Sequence, residues 1–231
     1  MSSKPTLVLV HGAWHGTWFW EPFVPELRRH GLGVELVELT SHGTDPATIG
    51  DLRSDVALVR RTVEAIDGPV VLLGHSFGGV VVTEAAEGLA NVTQLIYVAA
   101  FLPQLGDSMR TLTGGGNAPW IEFKDGLISV AAGWGSKLFY SDADADVAAK
   151  AEARLQPQAA ASFGQEVLAT GWKTIPSTYV VTTQDQSVPT GMQREMLAKA
   201  GITDVVEFDS GHSPFLNHPA RLADVLHSRL I

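Results

Sequence analysis

The sequence of 231 residues contains no cysteine. This absence excludes disulfides, a thiolate nucleophile and zinc sites with sulfur ligands. Basic residues are few, 16 against 25 acidic ones, and the net charge of −9 provides no positive field to attract nucleic-acid phosphates. The sequence also lacks an apolar run of the roughly 18–20 residues that a membrane span needs. We therefore expect no nucleic acid and no membrane among its partners.

The first apolar run, Thr6–Val10, is only five residues long. It is shorter than the apolar core of a signal peptide, which is roughly 7–15 residues, so we expect a cytoplasmic protein. A hydrophobic share of 45% with 18% charged residues is typical of a folded chain. The length predicts a single domain over residues 1–231.

Short apolar runs rich in β-branched residues alternate with segments of helical spacing. The predicted strands are Thr6–Val10, Val34–Leu39, Pro69–Leu73, Gln94–Ala99, Thr178–Thr183 and Asp204–Phe208. The predicted helices are Trp18–His30, Asp51–Ile66, Gly78–Leu89, Gly191–Ala200 and Pro214–Leu230. This alternation predicts an α/β fold with a mostly parallel, doubly wound sheet that helices cover on both faces.

The alternation stops at Phe101, and we predict a small lid inserted into the domain at about residues 102–170. Ser141–Arg154 is a predicted helix that Asp142 or Asp144 could cap, and Asp142, Asp144 and Asp146 are expected to be solvated helix charges. Gly114–Asn117 is a predicted flexible segment. Five aromatic residues of the lid are predicted either to line an apolar pocket or to form a core of the lid: Trp120, Phe123, Trp134, Phe139 and Tyr140.

The motif that most clearly indicates chemistry is Gly74-His75-Ser76-Phe77-Gly78-Gly79, between a predicted strand and a predicted helix. It fits G-x-S-x-G in the strand–turn–helix context that gives this motif its meaning. A serine at such a tight turn is held in a strained conformation that exposes its hydroxyl, and larger flanking residues would collide. The sequence therefore predicts Ser76 as a nucleophile, against the simpler interpretation of a glycine-rich turn.

A serine hydroxyl needs a base, and in this topology the acid and the histidine follow the serine in that order. Asp185 follows one predicted strand and His212 follows the next, so both are expected at the carboxyl edge of the sheet beside Ser76. We predict that His212 takes the proton of Ser76 and that Asp185 orients the imidazole. Asp209 is the rival acid, but it lies only three residues before the histidine.

The loop after the first strand, His11-Gly12-Ala13-Trp14-His15-Gly16, is predicted to supply an oxyanion hole. The N–H groups of Ala13 and Phe77 are the expected donors. The residues predicted to shape the substrate pocket are Gly12, Trp14, His15, His75, Trp120, Trp134 and Tyr140. No metal is expected at His11 and His15, because a spacing of four has no helical meaning in a loop. Phosphate-binding and dinucleotide-binding motifs are also missing, and we expect no cofactor.

These motifs and their order resemble the α/β-hydrolase superfamily along essentially the whole chain. The segments HGAWHGTWFW and Gln-Asp before Val-Pro are similar to the group of plant methyl esterases, hydroxynitrile lyases and small bacterial esterases. The lyase branch carries a threonine beside the first oxyanion donor and a lysine after the catalytic histidine. Gly12 and Ser213 stand at those positions here. The resemblance therefore implies ester hydrolysis rather than cyanide release.

The sequence thus predicts a serine carboxylester hydrolase that acts on a small, largely apolar ester through an acyl-enzyme. Cleavage of a lactone, an amide or a carbon–carbon bond, a hydroxynitrile lyase activity and a non-catalytic ligand receptor on the same fold are the alternatives. The expected partner is a small-molecule ester substrate. The sequence leaves the oligomeric state open, and a homodimer is one alternative.

Overall fold

The computed structural model describes residues 4–45, 47–116 and 118–230. Its strands are β1 Thr6–Val10, β2 Gly33–Val37, β3 Val70–His75, β4 Val92–Val98, β5 Ile121–Lys124, β6 Leu127–Val130, β7 Gln158–Ala159, β8 Ser177–Thr182 and β9 Asp204–Phe208. Its helices are α1 Val24–Arg29, α2 Leu52–Glu64, α3 Gly78–Ala85, α4 Met109–Leu112, α5 Trp134–Leu138, α6 Ala145–Glu152, α7 Ala160–Gly164, α8 Thr190–Ala200, α9 Pro214–Asn217 and α10 Pro219–His227.

Six strands form one sheet in the order β2-β1-β3-β4-β8-β9, and each of its pairings is parallel. β3 lies inside the sheet and all six of its residues are buried, as the apolar run Val70–Leu73 predicts. The ends of β3, β8 and β9 lie at the same edge, so the loops after them meet there. The predicted mostly parallel α/β sheet is confirmed.

Helix α2 shows how local sequence builds the layers around this sheet. Leu52, Val56, Val59 and Val63 are buried on one face at spacings of four, three and four. Asp51 caps the helix by accepting from the amide of Ser54 at 3.0 Å, while the Ser54 hydroxyl accepts from the Asp51 amide. The cap and the apolar face explain where this helix begins and what it packs against.

Two of the helix predictions are wrong, because each predicted segment is divided into two elements in the structure. Trp18–His30 consists of a 3₁₀ turn at Thr17–Trp20 and the separate helix α1. Pro214–Leu230 is divided into α9 and α10, because Pro219 forces His218 out of the helical region to φ −134°. Leucine and aromatic residues keep helical spacing through both breaks, so hydrophobic periodicity alone does not show them.

Between β4 and β8 the chain forms a lid with structure that the sequence did not indicate. β5, β6 and β7 pair antiparallel into a second sheet, and α4 to α7 surround it. The prediction that Asp142 or Asp144 caps the lid helix is wrong, since Asp144 occupies the N-cap without a side-chain hydrogen bond. Of the predicted flexible segment, Asn117 lies outside the described residues.

Across the described chain, we find no helix with the length and apolar character to cross a bilayer.

Candidate active site

Ser76 lies at the turn between β3 and α3, with its backbone at φ +52°. A non-glycine residue in this left-handed region is strained by about 1–2 kcal/mol. The carbonyl oxygen of Ser76 accepts from the amides of Gly79 and Phe101, both at 3.0 Å, and these bonds fix the turn. The turn therefore has the strained backbone that the motif predicts for an exposed serine hydroxyl.

The glycines around Ser76 permit backbone contacts that no side chain would allow. A Cβ at Gly74 would lie 2.7 Å from the carbonyl oxygen of Gly78. A Cβ at Gly78 would overlap the carbonyl oxygen of Val10, and one at Gly79 would overlap that of Phe101. Because these neighbours are backbone atoms that cannot turn away, the turn requires glycine at all three positions.

His212 lies in the loop after β9 and contacts Asp185, which lies in the loop after β8. Its Nδ1 donates to Oδ2 of Asp185 at 2.8 Å, and both side chains are buried. With its proton on Nδ1, the neutral ring presents Nε2 as an acceptor. Nε2 is buried and has no hydrogen-bond partner among the described residues. The arrangement is that of a general base whose tautomer a carboxylate fixes.

The carboxylate of Asp185 is held from several directions. Oδ1 accepts from the amides of Ser187 and Val188, each at 2.8 Å. Oδ2 accepts from the Thr182 hydroxyl at 2.9 Å and from the Gln193 amide group at 3.2 Å, besides His212. The rival acid Asp209 is exposed and instead accepts from Gln184. Geometry therefore assigns Asp185 rather than Asp209 to the histidine.

The amides of Ala13 and Phe77 make no hydrogen bond within the described parts of the chain. Both residues line the same cavity as Ser76. Gly12 packs directly against Ser76, because a Cβ at position 12 would lie 2.9 Å from Cβ of Ser76. Two unpaired N–H groups beside a serine form the donor arrangement that an oxyanion requires.

The loop that carries Ala13 is anchored by lid residues. Nδ1 of His15 donates to the carbonyl of Ala13 at 2.7 Å, and the Tyr140 hydroxyl donates to Nε2 of His15 at 2.8 Å. Trp14, at φ +64°, donates its backbone amide to Oε1 of Gln158 at 3.2 Å. The lid therefore holds the loop of Ala13 in a conformation that the loop sequence alone would not favour.

Three further histidines are buried in neutral form around this centre. Burial lowers the pKa of His15 to about 3 and that of His11 to about 4. Burial, together with the neighbouring His212, also holds the pKa of His75 well below its usual range. His75 donates from Nε2 to the backbone carbonyl of His212 at 3.0 Å. These histidines support backbone segments of the site.

One group of potential metal ligands lies nearby: His11, Glu38 and His42. However, Nδ1 of His11 donates to Gly12 at 2.9 Å, and Nε2 accepts from the Leu39 amide at 3.1 Å. Both nitrogens of His11 are therefore occupied, and a metal would have to displace a backbone hydrogen bond. The donor set does not fit a metal centre.

A cavity of about 440 Å³ opens above Ser76. Its wall contains Trp14, Phe77, Phe101, Trp120 and Phe163, with the rings of Phe77 and Phe163 stacked at 5.6 Å. Arg110 is its one charged lining residue, and no acidic side chain contributes among the described residues. The site can bind an apolar group next to the serine.

The predicted pocket residues divide into two groups. Trp14 and Trp120 line the cavity, whereas the prediction is wrong for Gly12, His15, His75, Trp134 and Tyr140. His15, His75 and Tyr140 are buried behind the wall because their polar atoms bind protein groups. Trp134 packs on the core and contacts the ammonium of Lys137 at 5.0 Å.

Sequence reasoning missed Phe101, Met109 and Phe163, which line the cavity, and Asp142, which contacts the histidine loop. The lining residues come from segments without a functional motif. Asp142 is separated from Gly211 by 69 positions, so no local pattern could link them.

The sequence matches the alpha/beta hydrolase family over residues 7–225. The chain belongs to this family. This confirms the resemblance carried by the sequence motifs and the α/β-hydrolase fold. Among the relatives are enzymes named as esterases and one named as a pyrethroid hydrolase, and this α/β-hydrolase is similar to them.

Two relatives and one solved structure illustrate the similarity. A carbendazim hydrolyzing esterase of Nocardioides sp. is 29% identical, with 95% of this chain and 97% of the relative covered. An alpha-hydroxynitrile lyase of Arabidopsis thaliana is 26% identical, with coverage of 98% and 97%. The crystal structure of a pyrethroid hydrolase from Sphingobium faniae is 23% identical and superposes with a TM-score of 0.83 over 98% of this α/β-hydrolase and 97% of that chain. The superposition shows a common fold.

Proposed function

We propose that this α/β-hydrolase is a serine carboxylester hydrolase that cleaves small, largely apolar esters through an acyl-enzyme. Ser76 is the nucleophile, His212 the general base and Asp185 the carboxylate that orients it. The observation that carries the proposal is the 2.8 Å bond from Nδ1 of His212 to Asp185, which leaves Nε2 buried and without a partner among the described residues. A ring whose Nδ1 is held by a carboxylate and whose Nε2 is an acceptor is the base that a serine nucleophile requires.

In acylation, the Ser76 oxygen attacks the ester carbonyl while Nε2 of His212 takes the hydroxyl proton. The carbonyl oxygen becomes an oxyanion, which the amides of Ala13 and Phe77 bind. Collapse of this intermediate breaks the bond to the leaving alcohol, and His212 donates its proton to that oxygen. Asp185 stabilises the imidazolium without accepting a proton itself.

In deacylation, His212 takes a proton from water as the water attacks the acyl-enzyme carbonyl. The same two amides bind the second oxyanion, and Ser76 recovers its proton when the acid leaves. Removal of one such donor typically lowers the rate by about 10²–10³-fold. The position of the loop at Ala13 therefore affects the rate strongly, although less than the loss of a triad residue does.

An apolar substrate is favoured by the cavity wall, to which six aromatic side chains contribute. A net charge of −9 also disfavours anionic substrates in general. Cleavage of a lactone, an amide or a carbon–carbon bond would use the same groups, and a substrate screen separates these reactions from ester hydrolysis.

Cyanide release is the second candidate, because a relative is named as a hydroxynitrile lyase. Ser213, which follows His212, is buried and uncharged. A departing cyanide anion would therefore lack a cation at this position. Release of cyanide from mandelonitrile measures this activity directly, and we expect it to be undetectable.

Substitution of Ser76 by alanine tests the proposal with p-nitrophenyl acetate and butyrate as substrates. We expect wild-type protein to hydrolyse both esters, and Ser76→Ala to lose hydrolysis by at least about 10³-fold, since the triad acts as a unit. Circular dichroism checks that the variant is folded. Undiminished hydrolysis by the folded variant would contradict the assignment of Ser76.

A further inference from the structure

Asp142 belongs to the lid, yet its carboxylate contacts the loop that carries His212. Oδ2 accepts from the backbone amide of Gly211 at 2.7 Å and from the hydroxyl of Ser210 at 2.9 Å. Oδ1 accepts from the side-chain amide of Asn217 at 2.7 Å. One carboxylate from the lid thus joins the residues before His212 to helix α9, which follows it.

These contacts fix the backbone on one side of His212, and a second contact fixes it on the other side. On the amino side, Asp142 holds the amide of Gly211, the residue immediately before the histidine. On the carboxyl side, Nε2 of His75 donates to the carbonyl of His212 at 3.0 Å. The backbone on each side of His212 is therefore fixed by a side chain from another part of the fold.

The approach of Asp142 to the loop depends on the absence of a side chain at position 211. A Cβ on Gly211 would overlap Oδ1 of Asp142 and lie 2.9 Å from the hydroxyl of Ser141. The glycine of the Gly211-His212 pair thus allows the lid to reach the loop. This gives the residue before the histidine a specific packing role.

Shielding from water strengthens these hydrogen bonds. The side chain of Asp142 is only 16% exposed, whereas Asp144 and Asp146 nearby in the lid are exposed. Charge-assisted hydrogen bonds of a partly buried carboxylate are roughly twice as strong as neutral ones. The His218 ring also lies beside this carboxylate, with its Nε2 4.0 Å from Oδ2.

We propose that Asp142 is a positioning residue for His212, through which the lid sets the orientation of the general base. The proposal rests on the proposed function, because it assumes that His212 acts on Ser76. Loss of the carboxylate leaves the loop free to move, and Nε2 of His212 then departs from its reactive position. A displacement of about 1 Å at a catalytic group can lower a rate by about 10²-fold.

The first test compares Asp142→Ala with Asp142→Asn and with the control Asp144→Ala. The alanine variant is expected to lose about 10- to 100-fold in kcat with little change in KM, because the base rather than the pocket is displaced. Asparagine keeps an acceptor for Gly211 and Ser210, and its amide can pair with a turned Asn217. It is expected to stay within about fivefold of wild type.

Asp144→Ala removes a carboxylate of the same lid segment that has no capping hydrogen bond, and its kcat is expected to be unchanged. If Asp142→Ala does not fold, Asn217→Ala provides the test. It removes one of the three donors to the carboxylate and is expected to lower kcat several-fold with KM unchanged. A wild-type kcat in folded Asp142→Ala, or in Asn217→Ala if Asp142→Ala does not fold, would overturn the proposal.

A double-mutant cycle separates positioning of His212 from a general structural effect. In the background of His212→Ala, Asp142→Ala is expected to cause no further loss of residual hydrolysis. The rate at which a fluorophosphonate labels Ser76 is expected to follow the same pattern. An equal fold-loss in both backgrounds would show that Asp142 does not act through His212.

The two proposals fail in different ways. If Ser76→Ala retains the activity, the serine esterase assignment fails, whatever the Asp142 variants do. If Ser76→Ala is inactive while Asp142→Ala matches wild type, the positioning role alone is rejected.

Discussion

Nδ1 of His15 donates to the carbonyl oxygen of Ala13 over 2.7 Å, inside the loop that presents the Ala13 amide to the cavity. The other nitrogen of this ring accepts from the Tyr140 hydroxyl at 2.8 Å. The imidazole is buried, and its low pKa of about 3 keeps it neutral, so that one nitrogen donates and the other accepts. A loop histidine, paired with a lid tyrosine, thus orients the Ala13 amide, the proposed oxyanion donor.

Removal of the His15 ring should therefore impair catalysis more than substrate binding. We expect His15→Ala to lower kcat by about 10²-fold with a small change in KM, since an oxyanion donor is misplaced. Tyr140→Phe is the matched control because it keeps the bond to Ala13. It is expected to cost about 1–3 kcal/mol of stability from the unpaired Nε2, while kcat stays within about threefold. Steady-state kinetics and urea unfolding distinguish the two effects.

Asp185→Asn should abolish most of the activity without unfolding the protein. The amides of Ser187 and Val188 both point at Oδ1, so the oxygen of asparagine faces them and its NH₂ faces His212. His212 must then carry its proton on Nε2 and can no longer accept one from Ser76.

A change of this kind lowers kcat by about 10⁴-fold in a serine triad. The control for Asp185→Asn is Asp209→Asn, a change at an exposed acid that bonds Gln184. Its kcat is expected to equal that of wild type. Equal losses in the two variants would show that Asp185 has no special relation to His212.

Gly78→Ala should prevent the turn at Ser76 from forming, because the added Cβ overlaps the carbonyl oxygen of Val10. Overpacking against rigid backbone typically costs about 1–3 kcal/mol or more. Gly191→Ala in helix α8 is the control, since nothing lies within 4 Å of its Cβ. It is expected to raise stability by up to about 1 kcal/mol. Urea denaturation of both variants measures the difference, and equal stabilities would contradict the packing argument.

Stability should fall as the pH decreases from about 6.5 towards 4. Burial lowers the pKa of His11 to about 4 and of His15 to about 3, and it holds the pKa of His75 well below its usual range. In the unfolded chain these rings take up protons below about pH 6.5, while the folded protein does not, so protonation favours unfolding. Each ring contributes a slope of up to about 1.4 kcal/mol per pH unit.

Asp55 opposes this trend, because burial raises its pKa and the folded state then binds a proton first. One carboxyl acting against three histidines leaves the net slope unfavourable at acid pH. Free energies of unfolding at pH 7.5, 6 and 5 test the prediction, and His15→Gln should reduce the slope by about one proton. Equal stability across this range would contradict it.

The parts of the structure that local sequence specifies could be predicted. The central strands are short apolar runs. Ser76 sits in a turn that a short glycine motif marks, although Gly78 and Gly79 are required by contacts with Val10 and Phe101 elsewhere in the chain. Asp185 and His212 follow from the order of strands, because loops after parallel strands meet at one edge. The pairing of Asp185 with the His212 ring could be predicted from this rule alone, without knowledge of side-chain packing.

The lid could not be predicted in the same way. Its strands β5 to β7 are two to four residues long, and Ile121–Lys124 is largely exposed, so no alternating pattern marks them. An aromatic residue of the lid can face either the cavity or the interior. Tyr140 faces the interior because its hydroxyl pairs with His15, which lies 125 positions away in the sequence. Contacts of this range depend on the folded arrangement and leave no local signal.

Covalent labelling of the nucleophile tests the central claim most directly. The protein is treated with a fluorophosphonate, the labelled residue is identified by peptide mass spectrometry, and residual ester hydrolysis is measured in the same samples. The account predicts one phosphonyl group, on Ser76, loss of hydrolysis in proportion to labelling, and labelling at least about 10³-fold slower in His212→Ala. Folded protein that is not labelled, or hydrolysis that persists after complete labelling of Ser76, would contradict it.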